Sequence, residues 1–339
     1  MPIDAQLPSI SVLTPTLNSG RTLQLCLASI RSQDYPSGKV EIIIADGGST
    51  DGTTDIARRY GASVVANPGI TGEAGKAVAF RHSSGDLVLL IDSDNILPGA
   101  DWMRQMVRPL LEDQMIIGAE PVRFVSQKGD SVVDRYCAVF GMVDPLCLFV
   151  GNYDKFCSAT RRWTSLPVRV EPRQGYVAVA LDRPLLPTFG ANGTLYRRKA
   201  LEPYVTEYLK DIDVPVQMSS GRDALWFAKV DVGIRHLCCP SVRDYLRKQQ
   251  RRIRDYFAIP RIGLQEYPWR SVALWGTVKF CLATVLVVPL LSQSARAYLT
   301  SRDKAAFFHP VACWLTLYIY AISALFFRGR PLSRAGWRQ

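Results

Sequence analysis

The sequence predicts an α/β fold built on a doubly wound, mostly parallel sheet and followed by C-terminal amphipathic and membrane helices. Three observations carry this expectation. Short, β-branched and almost continuously apolar runs alternate with helical stretches, the connections between them are short, and the last third holds two apolar stretches of 21 residues.

The runs are Ser9–Leu13, Val40–Ala45, Ser63–Ala66 and Asp86–Ile91, which read as strands buried on both faces. Between them, Arg21–Ser32 places Leu23, Leu27 and Ile30 on one stripe, Asp51–Tyr60 closes at Gly61, and Gly72–Ser83 completes the alternation. Ser19 and Asp51 are the expected N-caps and Gly61 the expected C-cap. Such an order implies right-handed crossovers, with ligands bound beyond the C-terminal ends of the strands. From about Phe124 to Val205 the pattern weakens, and mixed loops with short strands are expected to complete a site.

Near Leu237 the character changes. Ser241–Phe257 reads as a basic helix with Val242, Tyr245, Leu246, Ile253 and Phe257 as its apolar content. Ser271–Leu291 is interrupted only by Lys279, and Phe307–Phe327 only by His309. Each reaches the roughly 20 residues a helix needs to cross the hydrocarbon of a bilayer. Two spans are the expectation; a buried helix pair, or an in-plane or re-entrant hairpin suggested by Pro289 and Pro310, are the alternatives. The segment Ser292–Ala306, expected as a loop, holds fewer charges than its flanks. The positive-inside bias then predicts a cell-membrane protein whose N-terminal domain faces the cytoplasm.

Composition narrows the functional classes. Of 339 residues, 48% are hydrophobic and 21% charged, which excludes a disordered or fibrous chain. The net charge of +11 is uneven: residues 1–242 carry 25 basic against 26 acidic side chains, whereas residues 243–339 carry 16 against 4. No nucleic-acid partner is expected, because the basic residues interleave with lipid-length apolar runs rather than with stacking aromatics. They suit an anionic membrane surface instead. None of the eight cysteines forms a C-x-x-C pair, so a zinc ribbon or disulfide scaffold is not expected. The opening MPIDAQLPSISVLTP has no basic-then-apolar signal pattern, which again favours a cytosolic main domain.

Two clusters stand where strands are expected to emerge. Asp92-Ser93-Asp94-Asn95 follows DLVLLI, so that two carboxylates one residue apart reach the ligand edge. Hard divalent ions take such oxygen ligands together with substrate phosphates, although Asp, Ser and Asn also build ordinary turns. Asp46-Gly47-Gly48-Ser49-Thr50-Asp51-Gly52-Thr53 follows VEIIIA, with glycines that let a ligand approach the backbone. A plain turn with an N-cap would explain the glycines but not two acids and three hydroxyls together. The stretch Gly69–Ala77 approaches a P-loop but has one residue too many before Gly75 and an alanine where Ser or Thr would bind metal.

Taken together, PTLNSGRTLQLCLASIRSQDYP, ADGGSTDGT and AGKAVAFRHSSGDLVLLIDSDN resemble the family 2 glycosyltransferases of GT-A fold in order and spacing, over roughly residues 8–125. Looser similarity continues through GANGTLYRR, LKDIDV and QQRRI. The resemblance implies a nucleotide-sugar donor, Mg²⁺ or Mn²⁺ on its diphosphate, and inverting single displacement. It divides the chain into a catalytic domain (1–240, with a nucleotide-sugar-binding half to 125 and an acceptor half after it), an interfacial region (241–270), and two membrane helices with a basic tail (271–339). It further implies that Pro15, Thr16 and Asn18 border the nucleotide, Asp46 contacts the base, and Lys76 approaches nucleotide or phosphates. Asp92 would face ribose and metal, and Asp94 would ligate the metal. Asn192, in GANGTLYRR, falls on the acceptor or phosphate side.

Inversion needs a base for the acceptor's proton. The family uses the Asp of an E-D pair; here Lys210 stands in place of the Glu, leaving Asp211 as first choice, Asp213 second and Asp223, in GRDALWF, third. All three could equally be surface carboxylates. His236 is a metal ligand or a structural histidine. Gln249 and Arg252 partly match the Q-x-x-R-W signature of processive synthases, with Ile253 in place of Trp; an interfacial helix whose cations meet lipid phosphates is the simpler reading. The expected partners are therefore a nucleotide-sugar donor, a lipid-linked or glycan acceptor, and membrane lipids. A non-catalytic membrane module that binds nucleotide-sugars is the alternative.

Overall fold

The computed structural model describes residues 7–182, 185–190, 192–219, 225–258 and 267–327. The strands are β1 (Ile10–Thr16), β2 (Val40–Asp46), β3 (Ser63–Ala66), β4 (Leu87–Ile91), β5 (Asn95–Ile96), β6 (Ile116–Val125), β7 (Val170–Arg173), β8 (Tyr176–Leu181), β9 (Asn192–Arg197) and β10 (Leu225–His236). The helices are α1 (Gly20–Arg31), α2 (Thr53–Arg59), α3 (Gly72–Arg81), α4 (Trp102–Glu112), α5 (Val132–Phe140), α6 (Leu146–Val150), α7 (Arg198–Leu201), α8 (Asp213–Ser219), α9 (Val242–Ala258), α10 (Trp269–Leu286), α11 (Val288–Ser301) and α12 (His309–Phe327). They form two compact units, Met1–Val122 with Val168–His236, and Arg123–Pro167 with Leu237–Gln339.

The first unit is an α/β layer around one sheet of order β3-β2-β1-β4-β9-β6-β10-β8-β7, with β5 added on β10. The β3-β2-β1-β4 block is parallel, and Leu87–Ile91 is buried at every position; β3, expected to be buried on both faces, is instead the sheet's edge strand, exposed at Ser63 and Ala66 and half-buried at Val64 and Val65. Register aligns the strand tips, with Thr16 opposite Asp46 and Leu13 opposite Leu90. Beyond β4 the pairing turns antiparallel, Ile91 standing opposite Asn192 and Asn95 opposite His236. These registers bring residues a hundred or more positions apart to the edge where β4 ends.

Two expected caps differ in detail. The N-cap of α2 is Gly52, left-handed at φ +82°, while Asp51 accepts from Thr53 N at 3.1 Å and Gly20 N at 2.9 Å. Ser19 does precede α1, but its side chain makes no capping bond; its N–H donates to Thr53 Oγ1 at 2.8 Å. Gly61 follows α2 at φ +66°, as a left-handed closing residue should.

The second unit is helical. Part of the segment expected as loops and short strands is α5, with Val133, Tyr136, Cys137 and Phe140 on one buried stripe, a Ser131 cap and left-handed Gly141 closing it. At nine residues the periodicity is too short to stand out. The expectation of two unbroken apolar helices is also corrected. The first stretch breaks at Val287 (φ +62°), α10 and α11 meeting at 94°, because Pro289 in the first turn of α11 cannot continue α10. The segment 292–306 is consequently largely helical rather than a loop. Among the described residues, one helix, Lys304–Leu325, is long and apolar enough to cross a membrane, and the bent pair passes the same test if taken as one broken span.

The polarity of these helices is inverted. On α12 the buried face holds His309, Ala312, Cys313 and Thr316, while Val311, Trp314, Tyr318 and Leu325 are exposed. The buried polar groups are paired: His309 with Tyr136 (3.0 Å) and Gln293 (2.8 Å), and Thr316 with Tyr245 (2.8 Å). Gly276 on α10 packs so close to Val150 that a Cβ would stand 2.8 Å from its Cα.

Candidate functional site

The site is built at the C-terminal tips of β1, β2 and β4, closed by residues that β9, α8 and β10 bring beside them. At the β2 tip, Asp46 is 8% exposed and organises its own turn. Its Oδ1 accepts from Thr16 Oγ1 (2.8 Å) and Ser49 Oγ (2.5 Å), and its Oδ2 from Gly48 N (3.0 Å) and Ser49 N (2.8 Å). Burial pushes its pKa up, but these donors outweigh it and hold the carboxyl below the usual range. Through these four bonds Asp46 builds its own turn. Asn18, left-handed at φ +50°, joins the same network: its N–H donates to Ser49 Oγ at 2.8 Å and its Oδ1 accepts from Thr50 N at 2.9 Å. Thr16, Asn18 and Asp46 are thus one hydrogen-bonded edge.

Lys76 arrives on α3. Gly75 leaves no room for a side chain: a Cβ there would lie 2.8 Å from Pro15 Cβ and 2.9 Å from Asn67 Nδ2. That close approach of α3 to the tip of β1 delivers Lys76, 5% exposed at its side chain, into the acidic edge. Its Nζ lies 3.0 Å from Asp211 Oδ2. Burial opposes the charge on Lys76, but Asp211, Asp92 and Glu73 together overcome it and raise its pKa above that of an ordinary lysine.

Asp92 and Asp94 flank the turn after β4. Burial raises Asp92 above the usual carboxylate range; Lys76 and His236 oppose the shift, and Asp94 and Asp211 add to it. Asp94 Oδ1 accepts from Asn95 Nδ2 at 2.9 Å, and its Oδ2 lies 3.5 Å from His236 Nε2, a proximity that the β5–β10 pairing creates. A Cβ on Gly190 would lie 3.6 Å from Asp211 Oδ2 and 3.9 Å from Asn192 Nδ2, so these three belong to one neighbourhood. Asn192 Oδ1 is buried without a hydrogen-bond partner.

Asp92 and Asp211 stand beside one buried lysine, with Asp94 next to Asp92, leaving an excess of negative charge that a divalent cation suits. No three or more His, Cys, Asp or Glu side chains among the described residues are arranged to hold a metal by themselves. The two carboxylates Asp92 and Asp94 fit such an ion where water or phosphate oxygens supply the remaining ligands.

Other expected site residues lie elsewhere. Asp213, 6% exposed, opens α8 with Lys210 Nζ at 3.7 Å, and Asp223 lies outside the described residues. Gln249 belongs to the helical unit, fully buried, its Nε2 donating to Val143 O at 3.0 Å and its Oε1 accepting from Tyr320 at 3.1 Å. Its amide ties α9 to α12, so a role in holding acceptor is not what its packing provides. Arg252, on the same helix, has a buried Nη1 with no hydrogen-bond partner.

One pair escaped sequence reading. Glu120 and Lys229 are fully buried and 2.7 Å apart, and Glu120 Oε1 also accepts from Gly190 N (3.2 Å) and Thr194 Oγ1 (3.3 Å). The pair thus anchors the segment that runs past Asp211. Its signal was an acid inside the apolar run IIGAEPV.

Residues 11–204, more than half of the chain, match the family described as Glycosyl transferase family 2. The chain belongs to that family. Glycosyltransferase AglE of Haloferax volcanii is 28% identical over 136 residues, 38% of this chain and 44% of the relative. An N-acetylglucosaminyltransferase of Mesorhizobium japonicum is 42% identical over 98 residues, 26% of this chain and 23% of the relative. The matches thus span less than half the length of either. Among solved structures, the mannosyltransferase PcManGT from Pyrobaculum calidifontis, in complex with GDP-Man and Mn²⁺, superposes with a TM-score of 0.51 at 16% identity, covering 94% of this chain and 88% of its own. At that identity the likeness establishes the fold, the GT-A-type α/β arrangement, for this family 2 protein.

Proposed function

We propose that this family 2 protein is a membrane-associated, metal-assisted, inverting glycosyltransferase. It moves a sugar from a nucleoside-diphosphate donor to a lipid-linked or cell-envelope glycan acceptor. The observation that carries the reading is the convergence of Asp92, Asp94, Lys76 and Asp211 at the strand tips. Relatives named as N-acetylglucosaminyltransferases, and a fold neighbour in complex with GDP-Man and Mn²⁺, support the donor class.

Asp92 and Asp94, with His236, would hold Mg²⁺ or Mn²⁺, which when bound neutralises charge developing on the departing diphosphate. Lys76 offers a fixed cation to the same oxygens. Asp211 is the base: it takes the proton from an acceptor hydroxyl as the hydroxyl oxygen bonds to the anomeric carbon and the bond to the diphosphate breaks. Asp211 is preferred over Asp213 because it stands beside Lys76 and Asn192, whereas Asp213 pairs with Lys210. An acceptor that is itself a phosphate is already anionic and needs no such base.

The inverted polarity of α10 and α12, with the basic residues after 242, supports membrane association and a cytoplasmic catalytic unit. The deciding experiment is a donor screen on the purified, detergent-solubilised protein with and without EDTA, reading released nucleotide. Metal-dependent release from one donor class is the expected result. Tight nucleotide binding with no release from any donor would replace this reading with that of a non-catalytic nucleotide-sugar-binding module, which Lys210 in place of an acid favours.

A further inference from the structure

The helical unit presents an apolar surface that the transfer chemistry does not use. On α10, Leu274, Trp275, Leu282, Val285 and Leu286 are exposed, and beyond the bend Val288 and Leu291 continue the surface. Trp275 is 74% exposed and Val288 71%, large apolar side chains of the kind that mark an interaction surface. The 18 residues of α10 make about 27 Å of helix, nominally enough for one span. The position of Lys279 argues against that use. It is exposed midway along the helix, and as a span it would hold a cation in hydrocarbon at a cost of roughly 2.5–3.5 kcal/mol. Lying in the interface, the same lysine sets its ammonium among lipid phosphates while its methylenes cover the apolar face.

The 94° bend at Val287 points the same way. α11 leaves the bend with Leu291 and Leu299 exposed beside an exposed Arg296, a mixed surface that suits the headgroup boundary and not the bilayer core. Charge complements this geometry, since residues 243–339 hold 16 basic against 4 acidic side chains.

We propose that α10 and α11 form a bent interfacial wedge seated in a single leaflet of an anionic bilayer, with both ends of the pair on the same face of the membrane. The inference rests on the membrane association proposed above, and two measurements keep the two apart. The purified full chain is first floated with vesicles of phosphatidylcholine alone or with 30% phosphatidylglycerol. Flotation enriched at least several-fold by the anionic lipid is expected, whereas absence from both vesicle fractions overturns membrane association and wedge alike.

Sidedness is then read with a membrane-impermeant maleimide on sealed inside-out and right-side-out vesicles carrying the full chain. One cysteine at a time is added, at Arg247→Cys, before the pair, or at Arg296→Cys, beyond the bend, in a Cys147→Ser, Cys281→Ser background whose six remaining cysteines are buried; that background without an added cysteine is the labelling control. Labelling of both from the same side is expected. Labelling from opposite sides makes α10 a span and overturns the wedge while leaving membrane association intact. An Arg296→Cys site that labels only in detergent places α11 within the hydrocarbon and overturns it too.

Discussion

Lys76 Nζ stands 3.0 Å from Asp211 Oδ2, joining the residue after Gly75 on α3 to the acid that precedes α8. The pair links the two halves of the proposed reaction: the lysine faces the diphosphate side and the aspartate the acceptor side. Lys76→Met leaves the half-buried Asp92 and Asp211 near each other without the lysine between them. Release of nucleotide is expected to fall at least about 100-fold, with a lowered melting temperature from the uncompensated acids. Turnover within about twofold of wild type would detach Lys76 from the chemistry.

Asp211→Asn separates two acceptor classes. With a hydroxyl acceptor, loss of the base is expected to lower turnover by about 10²–10⁴-fold at unchanged donor affinity. Near-full turnover identifies an acceptor that is already anionic, such as a lipid phosphate. Steady-state kinetics beside donor calorimetry distinguishes the outcomes.

Asp94→Asn removes the negative charge of a proposed metal ligand beside His236 and relieves part of the acidic crowding around Asp92. Mn²⁺ affinity, followed by electron paramagnetic resonance in the presence of nucleoside diphosphate, is expected to weaken at least tenfold. The variant should melt within a few degrees of wild type, because Asp94 is partly exposed. Unchanged Mn²⁺ binding would remove it from the metal shell.

The Glu120–Lys229 pair predicts a non-additive result. Glu120→Leu alone strands a buried lysine and is expected to cost about 3–5 kcal/mol of stability. Combining it with Lys229→Met should recover at least half of that, since apolar replacements of buried ion pairs are well tolerated. Denaturant melts of the two variants against wild type measure the coupling. The double variant still lacks the acceptor for Gly190 N, so turnover should stay low where stability returns.

Acid sensitivity follows from carboxylates away from the metal edge. Burial pushes Glu41 up, but the Ser11 hydroxyl and the Ser84 and Gly85 donors hold it below its ordinary value. Hydrogen bonds from Ser9 likewise lower Asp86. A folded pKa below the unfolded one means the ionised form is what folding favours. The stabilisation is therefore complete above roughly pH 4 and is lost as pH falls through the lower folded values. Glu41→Gln should flatten the stability-against-pH curve on the acid side relative to wild type.

How much of this was legible in the chain depends on the range of the interaction. The strands, α1 to α3, Gly61 and the acids at the strand tips rest on local periodicity and composition. Runs such as LVLLI have one stable use in water, and an acid just beyond such a run must emerge at the sheet's edge. The break at Val287 was half legible, since Pro289 marked it while the uninterrupted apolar run masked it. Asp46 as turn builder, Gln249 as packing residue and the buried Glu120–Lys229 pair were not legible. The last two depend on partners 71 to 109 positions away, whereas Asp46 takes three of its four bonds from Gly48 and Ser49 and only Thr16 from a distance, 30 positions away.

By itself, then, the sequence determined the alternation of strand and helix, the acidic edge and the basic, apolar C-terminal third, because each follows from side-chain chemistry within a few turns of chain. Only the tertiary structure decided which acid meets Lys76, which polar groups are occupied by packing, and which face of α10 and α12 stays apolar and open. Those choices arise from register and close approach, where a missing Cβ at Gly75 or a strand partner at His236 sets distances that local sequence does not encode.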